Sequence, residues 1–192
     1  MQCYSVRGLS VVAAFNIAKT IANLFNIVFI ALGDSVAIVV GQKLGAGKMD
    51  EARDLDNKMI AFSVMCCTGV AIVMFLIAPL FPRLYNTDST TRHLAEYLIM
   101  TQAVFMPQNA FLHATYFTLR SGGKTVITFF FDSVFVWIAS VPIAFVLSRF
   151  TNLFVVVIFA CVNIADWIKC VIGFVLVKKG VWLQNIVAQE KE

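Results

Sequence analysis

Six polar or ionisable side chains lie inside long apolar stretches of the chain, where residues of this kind are rare. They are Asp34, Asn109, His113, Asp132, Asp166 and Lys169. A charge at bilayer depth costs at least ~2.5 kcal/mol by insertion scales, so each one requires a partner or a purpose. At ~1.5 Å per helical residue, all six fall in one layer, roughly 9–17 Å from the helix ends on one side. This layer predicts a substrate or ion pathway.

Two of these residues, Asp166 and Lys169, are spaced i, i+3, so they can pair on one helix face. One interpretation is a structural ion pair that neutralises both charges. The other is a switchable network, in which Asp132 or Asp34 competes for Lys169 as a gate opens. The spacing alone leaves both interpretations open.

No catalytic residue and no metal site is predicted. His93 and His113 are twenty residues apart, with no Ser, Cys or acid in a recognisable catalytic relation. The five cysteines have neither a CxxC nor a metal-like spacing, and most lie in apolar segments, where a thiol is a small packing group. An enzyme is therefore unsupported, and no cofactor is expected.

The segments that carry these residues must lie in a membrane. Of the 192 residues, 60% are hydrophobic and only 14% are charged, and the mean hydropathy is +0.84. A soluble domain has roughly a quarter of its residues charged. The apolar blocks are each close to the ~20 residues that a helix needs to cross the hydrocarbon core. We therefore predict an all-α membrane protein with about five transmembrane helices.

The predicted spans cover residues 10–40, 58–80, 93–119, 125–147 and 153–177, and residues 178–192 form a tail. The first span is long enough for tilt or for a bend near Gly33. Pro107 predicts a kink in the third span. Pro142 lies near the end of the fourth.

Positive charge is distributed unevenly between the two sides of these spans, nine residues against four. The richer side holds Lys43, Lys48, Arg53, Lys58, Arg120, Lys124, Lys178, Lys179 and Lys191. The positive-inside rule puts these loops and the C-terminus in the cytoplasm. An odd number of spans leaves the N-terminus outside, which suggests that an earlier span is missing.

The junction after the first span contains three glycines in seven residues, Gly41, Gly45 and Gly47. They end the helix and allow close backbone approach. A phosphate-binding loop is excluded, because no strand precedes the junction and the P-loop spacing is absent. The charged stretch 48–58 predicts a short amphipathic helix at the interface.

Several motifs occur in the order found in one transporter family. They are Val40-Gly41-Gln42-Lys43-Leu44-Gly45-Ala46-Gly47 with Glu51-Ala52-Arg53, then Pro82-Arg83-Leu84-Tyr85, Leu119-Arg120-Ser121-Gly122-Gly123-Lys124-Thr125, and Trp137 through Pro142. This set resembles the multidrug and toxic compound extrusion (MATE) family. Ser121 stands where the family has a glycine. The signature and structural residues that the resemblance marks are Gly41, Gln42, Gly45, Gly47, Arg120, Gly122 and Pro142.

The resemblance implies a twelve-helix transporter of two six-helix lobes, of which this chain looks like helices eight to twelve of a DinF-like bacterial branch. The implied partners are the lipid bilayer, the N-terminal lobe, the first helix of the C-terminal lobe and small organic cations as substrates; no nucleic acid is implied. The implied location is the cell (inner or plasma) membrane, with a cytoplasmic C-terminus. Alternating access needs two halves around one site, so we expect this chain to be part of a longer protein.

The resemblance also bears on ion coupling. Cation-coupled members of one branch carry an acid in the helix that matches the third span. Here that position falls at or near Asn109, which cannot titrate. If H⁺ or Na⁺ drives the protein, its carboxylate is expected in the first lobe.

The first span has one polar side, because Asn16, Asn23 and Asn26 share a helix face. We expect that face to look into a cavity or onto another helix. Lys19 snorkels, pairs with another helix, or selects against cations. Trp182, just beyond two lysines, predicts an interfacial anchor.

The leading functional hypothesis is the C-terminal-lobe portion of a multidrug efflux antiporter that is coupled to H⁺ or Na⁺ and exports organic, often cationic, compounds. Two alternatives stay open: a lipid-linked oligosaccharide or polysaccharide flippase of the same superfamily, and a non-transporting membrane interaction protein. The glycine-rich signature favours the exporter.

Overall fold

The computed structural model describes residues 8–151 and 153–184, and within these ranges every regular element is helical. Five long helices follow one another: α1 (Leu9–Gly45), α2 (Met49–Ile77), α3 (Ser89–Ser121), α4 (Thr125–Phe150) and α5 (Val155–Lys178). A short 3-10 turn, Phe81–Leu84, lies between α2 and α3. The prediction of an all-α chain is confirmed.

Four of the helices, α1, α2, α4 and α5, are long and apolar enough to cross a membrane by length and composition. Helix α3 has 33 residues and is therefore long enough to cross a membrane. It is less apolar than the other four helices, because polar side chains recur along it, among them Gln102, Gln108, Asn109 and His113. Four membrane-spanning candidates therefore stand where five were predicted. The crossing by α3 stays a prediction.

Large apolar side chains point outward on every one of these helices. Among the exposed ones are Leu24, Met65, Val104, Trp137 and Phe174. Water-soluble monomers rarely expose contiguous apolar surface of this extent. The exposed apolar faces therefore suit a lipid environment.

Helix α2 corrects one expectation. The charged stretch 48–58 was predicted as a separate interfacial helix, but it forms the first turns of the continuous helix Met49–Ile77. No glycine or proline occurs in α2 before Gly69, so nothing interrupts the helix between its charged start and its apolar part. Asp50 and Glu51 lie in its first turn, where negative charge complements the helix dipole.

Helix α4 is not regular throughout. Two π-helical stretches, Phe130–Val134 and Val136–Ser140, precede Pro142. A proline donates no backbone hydrogen bond, so a carbonyl one turn earlier loses its usual partner. Widened turns of this kind are frequent at functional sites, and Asp132 lies in the first of them.

The chain divides into two compact units. One comprises the chain up to Ile27 with Thr68–Met106 and Val136–Asp166; the other comprises Val28–Cys67, Pro107–Phe135 and the chain from Trp167 onward. In the first unit, α1 buries a stripe of small and branched residues at helical spacing: Val11, Ala14, Ile17, Ala18, Ile21 and Ala22. Phe15 and Phe159 meet edge to face there, with ring centroids 5.6 Å apart.

The second unit has its own apolar core. It is formed by Val36, Val40, Leu44, Ala52, Leu119 and Trp182. Gly33 lies beside the ring of Phe117, and a Cβ at that glycine would come within 2.5 Å of the ring. Helix α1 continues through Gly33, so this glycine serves close packing within an unbroken helix.

Candidate functional site

The buried ammonium of Lys169 is the centre of the predicted charge layer. It lies in the second half of α5, and its side chain is only 9% exposed. Its Nζ is 3.5 Å from Oδ1 of Asp132, whose side chain is 61% exposed. The ammonium also lies 5.4 Å from the ring centroid of Phe135, within the range of a cation–π contact. A carboxylate on α4 and an aromatic face on α4 thus surround one cation on α5.

His113 on α3 joins the same group. Its ring meets Phe29 edge to face, with centroids 4.7 Å apart. The charges of Asp132, Lys169 and Asp34 all act on His113. The structure therefore brings Asp34, His113, Asp132 and Lys169 together within the second unit. Whether they form a pathway stays a prediction.

Two other predicted residues have a different setting. Asn109 lies on α3 one turn before His113, and it is half-buried. Asp166 lies where α5 departs from regular α-helix, with φ −67° and ψ −12° between the segments Val155–Ala165 and Trp167–Lys178. It is half-buried and belongs to the first unit. The proposed pairing of Asp166 with Lys169 stays a prediction.

An apolar cavity of about 280 Å³ adjoins Lys169. Its other lining residues are Val126, Ile127, Phe130, Phe135, Ile172 and Leu176. An apolar pocket with one cation at its wall suits an amphiphilic molecule.

A second cavity, of about 330 Å³, lies in the first unit and is lined by part of the polar side of α1. Lys19, Asn23 and Asn26 contribute to it from α1, and Gln102 contributes from α3. Phe15 and Phe159 add aromatic surface. The expectation that this helix face looks into a cavity is met for Asn23 and Asn26, while Asn16 is exposed outside the lining.

The glycine-rich junction after α1 is a helix cap. Gly47 has φ +74°, its N–H donates to the carbonyl of Leu44 at 3.0 Å, and the N–H of Lys48 donates to the carbonyl of Lys43 at 3.0 Å. This pair of bonds is a Schellman motif, which needs one left-handed residue. Glycine takes that conformation without a steric penalty.

The other signature residues of this junction lie in the last turns of α1. Gly41 is half-buried, and a Cβ there would make only a 4.0 Å contact with Ser121. The carbonyl of Gln42 accepts a bond from the N–H of Ala46 at 3.0 Å, and its side chain is exposed. Gly45 is the last residue of α1 and is also exposed.

The loop after α3 repeats the same construction. Gly123 has φ +72°, its N–H donates to the carbonyl of Arg120 at 3.0 Å, and the N–H of Lys124 donates to the carbonyl of Leu119 at 3.2 Å. The side chain of Arg120 is exposed. Both glycine motifs therefore end a helix in the same way.

Trp182 corrects the prediction of an interfacial anchor. Its side chain is completely buried in the core of the second unit, and its indole N–H donates to the carbonyl of Val177 at 3.2 Å. The chain reverses at Gly180, which has φ +67°. This reversal brings Trp182 into the core. The hydropathy pattern of the sequence does not predict a chain reversal of this kind.

The segment 179–184, here called the C-terminal turn, is held against two helix ends. Arg53 donates to the carbonyl of Lys178 at 2.7 Å, directly before the turn. Gln184 donates to the carbonyl of Gly122. A Cβ at Gly122 would come within 2.1 Å of the carbonyl oxygen of Trp182, so only glycine fits there.

A model of the family described as MatE matches residues 2–148 of the chain. That range is well over half of the 192 residues. The chain belongs to the MatE family. The resemblance drawn from the glycine motifs is thereby confirmed; the assignment to a particular lobe and branch stays a prediction.

MatE relatives are similar to this chain over about three quarters of its length. Multidrug resistance protein MdtK of Edwardsiella ictaluri is 26% identical over 141 residues, which is 73% of this chain and 31% of the relative. The probable multidrug resistance protein YoeA of Bacillus subtilis is 25% identical over 148 residues, 76% of this chain and 32% of the relative. The chain spans about a third of the length of these curated relatives. No solved structure matches it.

MatE proteins are transporters rather than enzymes. The apolar helices and the family together describe a multi-pass membrane protein. The matched range includes the glycine motifs and Pro142, whereas Lys169 and Trp182 lie beyond it. The described residues hold no group of three or more His, Cys, Asp or Glu side chains that could bind a metal ion.

One buried acid was missed by the sequence reasoning. Asp56 on α2 is fully buried and is hydrogen-bonded to Thr118 on α3. It was overlooked because it lies in the charged stretch 48–58, which was predicted as an amphipathic helix at the interface. Its spacing of four residues from Ala52 and from Ile60, both apolar, was the available signal.

Proposed function

We propose that this chain forms part of a membrane exporter of organic compounds, driven by an H⁺ or Na⁺ gradient. The observation that carries the proposal is the MatE match over residues 2–148. Relatives that are named multidrug resistance protein or probable multidrug resistance protein support it. The proposed partner is the remainder of a two-lobed transporter, since the chain spans about a third of those relatives.

We place the exporter in the cell membrane, with the C-terminal turn on the cytoplasmic side. The unequal distribution of Lys and Arg supports this orientation. Both glycine caps and the C-terminal turn would then lie on the cytoplasmic side.

The cavity along α1 bears on the substrate. Amide groups from Asn23, Asn26 and Gln102 can hydrogen-bond a polar compound, and the rings of Phe15 and Phe159 can pack against an aromatic one. Lys19 in the same lining repels a cation. We therefore assign recognition of cationic compounds, and the coupling carboxylate, to the lobe that this chain does not include.

A second candidate function is the flipping of a lipid-linked oligosaccharide or polysaccharide. The specific observation in its favour is again the cavity along α1. The ammonium of Lys19 can bind a phosphate group, and the amides of Asn23 and Asn26 can hydrogen-bond sugar hydroxyls. The family assignment and the names of the relatives favour the exporter.

Drug resistance conferred by the full-length protein tests the proposal. Expression in an efflux-deficient bacterial strain should raise the inhibitory concentration of several unrelated organic compounds, and an ionophore that dissipates the H⁺ or Na⁺ gradient should abolish the gain. No resistance, together with restored polysaccharide export in a flippase-deficient strain, would overturn the exporter in favour of the flippase.

A matched pair of lysine variants refines this test. Lys19→Gln removes a like charge from the cavity wall, which at about 1 kcal/mol should increase resistance to cationic compounds roughly fivefold relative to neutral ones. Lys58→Gln is the control, because Lys58 pairs with Asp54 on an exposed face at 2.6 Å. If both variants gave the same resistance to cationic relative to neutral compounds, the cavity would not lie on the substrate path.

A further inference from the structure

Asp56 is a carboxyl group buried in an apolar helix interface. It lies on the buried face of α2, one turn after Ala52 and one turn before Ile60. Its relative exposure is 0%. Acidic side chains are almost never fully buried unless they are paired, because removing the charge from water is costly. The setting of Asp56 therefore requires an explanation.

Its direct partner in the described chain is a single hydroxyl group. Oγ1 of Thr118 on α3 is 2.6 Å from Oδ1 of Asp56. The same Oγ1 is 3.0 Å from the carbonyl oxygen of Ala114, one turn back along α3. Oδ2 of Asp56 is buried and has no hydrogen-bond partner among the described residues.

The hydrogens available do not suffice for an ionised carboxylate. A threonine hydroxyl donates one hydrogen, and here it faces two acceptors, the Asp56 carboxylate and the Ala114 carbonyl. If Asp56 carries a proton, its own O–H can donate to Thr118 while the hydroxyl donates to Ala114. Protonation therefore satisfies both short contacts and removes the buried charge.

Among the described residues, Asp56 forms no ion pair. The charged residues near the start of α2 make other contacts or are exposed. Glu51 pairs with Lys43 and Lys48, and Asp54 pairs with Lys58. Arg53 donates to the backbone carbonyl of Lys178, and Arg120 is exposed.

We propose that Asp56 and Thr118 form a buried proton-binding site that fastens α2 to α3. Two oxygen-bearing side chains are too few for a hard metal cation, which takes about six or more oxygen ligands. A proton needs only the one acceptor that Thr118 supplies. Loss of the proton leaves an uncompensated charge in the interface, so deprotonation weakens the contact between the two helices.

The site is distinct from the proposed export function. It depends on the packing of α2 against α3 in this chain, and it would remain if the exporter proposal failed. If export is driven by H⁺, Asp56 offers a protonation site near the helix ends that carry the glycine motifs. Failure of the spectroscopic test below and failure of the resistance test are therefore separate results.

Isotope-edited infrared spectroscopy tests the proposal. The intact protein, labelled with ¹³C-aspartate and held in lipid nanodiscs, is titrated from alkaline to mildly acidic pH. We expect a protonated-carboxyl C=O band to appear well above about pH 4, where exposed aspartates take up protons. A component of this band should be lost in Asp56→Asn and kept in Asp54→Asn, because the side chain of Asp54 is 67% exposed.

Thr118→Val provides an independent arm should Asp56→Asn fail to fold. Removal of the acceptor should shift the Asp56 band to higher frequency, as expected for a carboxyl group without a hydrogen-bond partner. The proposal is overturned if no band appears before the exposed aspartates protonate, if the band keeps its full intensity in Asp56→Asn, or if added Na⁺ removes the Asp56 component at constant pH.

Discussion

Replacement of Gly122 by alanine should detach the C-terminal turn from the loop after α3. The added Cβ would lie 2.1 Å from the carbonyl oxygen of Trp182, about 1 Å closer than real Cβ contacts allow. The atoms that must move to make room for the Cβ belong to the backbone of Trp182 and not to a flexible side chain. Overpacking of this kind costs about 1–3 kcal/mol, and loss of the bond from Gln184 to the Gly122 carbonyl adds about 1 kcal/mol.

Gly41→Ala is the matched control. Gly41 also lies near the end of a long helix, but its added Cβ would make only a 4.0 Å contact with Ser121. A glycine-to-alanine change inside a helix stabilises by up to about 1 kcal/mol where there is room. The two variants should therefore change stability in opposite directions.

The measurements are thermal unfolding in detergent and quenching of tryptophan fluorescence. At roughly 2–4 °C per kcal/mol for a chain of this length, the combined loss of about 2–4 kcal/mol should lower the Tm of Gly122→Ala by about 4–16 °C. In a background with Trp137 and Trp167 replaced by phenylalanine, acrylamide should quench Trp182 more strongly in Gly122→Ala than in Gly41→Ala. An unchanged Tm and a still-protected Trp182 would refute the packing of the turn against Gly122.

Three further variants probe the charged groups. Arg53→Met should destabilise the protein by about 0.5–1.5 kcal/mol through loss of the 2.7 Å bond to the end of α5, whereas Lys58→Met on an exposed face should change the Tm little. Asp132→Asn should lower the Tm, because it removes the carboxylate that lies 3.5 Å from the buried ammonium of Lys169. Adding Lys169→Met should restore the Tm, and a double variant as unstable as the single one would contradict the pairing. Asp166→Asn should leave membrane insertion intact but change transport by the complete protein, and unchanged transport would reject a gating role.

The membrane class and the helical architecture were predictable because both depend on composition averaged over long segments. Blocks of about twenty apolar residues require helices in lipid, whatever their neighbours are. Helix ends were predicted less well. Helix α2 begins at Met49 and not at the start of the apolar stretch, since charged residues continue a helix as readily as apolar ones do.

The charge layer was predictable in part. Its members were predicted because an ionisable residue in an apolar span can be recognised in the sequence without knowledge of its partners. The contact between Lys169 and Asp132 joins α5 to α4 over 37 positions of sequence, 169 minus 132, so local spacing could not decide it. Spacing along one helix indicated Asp166 as a partner, and the alternative of a switchable network named Asp132 and Asp34.

The sequence by itself determined the solvent, the helical class and the family, because apolar content and short ordered motifs carry that information locally. The tertiary structure alone decided which side chains are buried. Trp182 was expected at the interface and lies in the core. Asp56 falls in the stretch 48–58, which was predicted as an interfacial helix, and it lies buried between two helices. Burial depends on which helix faces meet, and that is set by contacts between residues far apart in the chain.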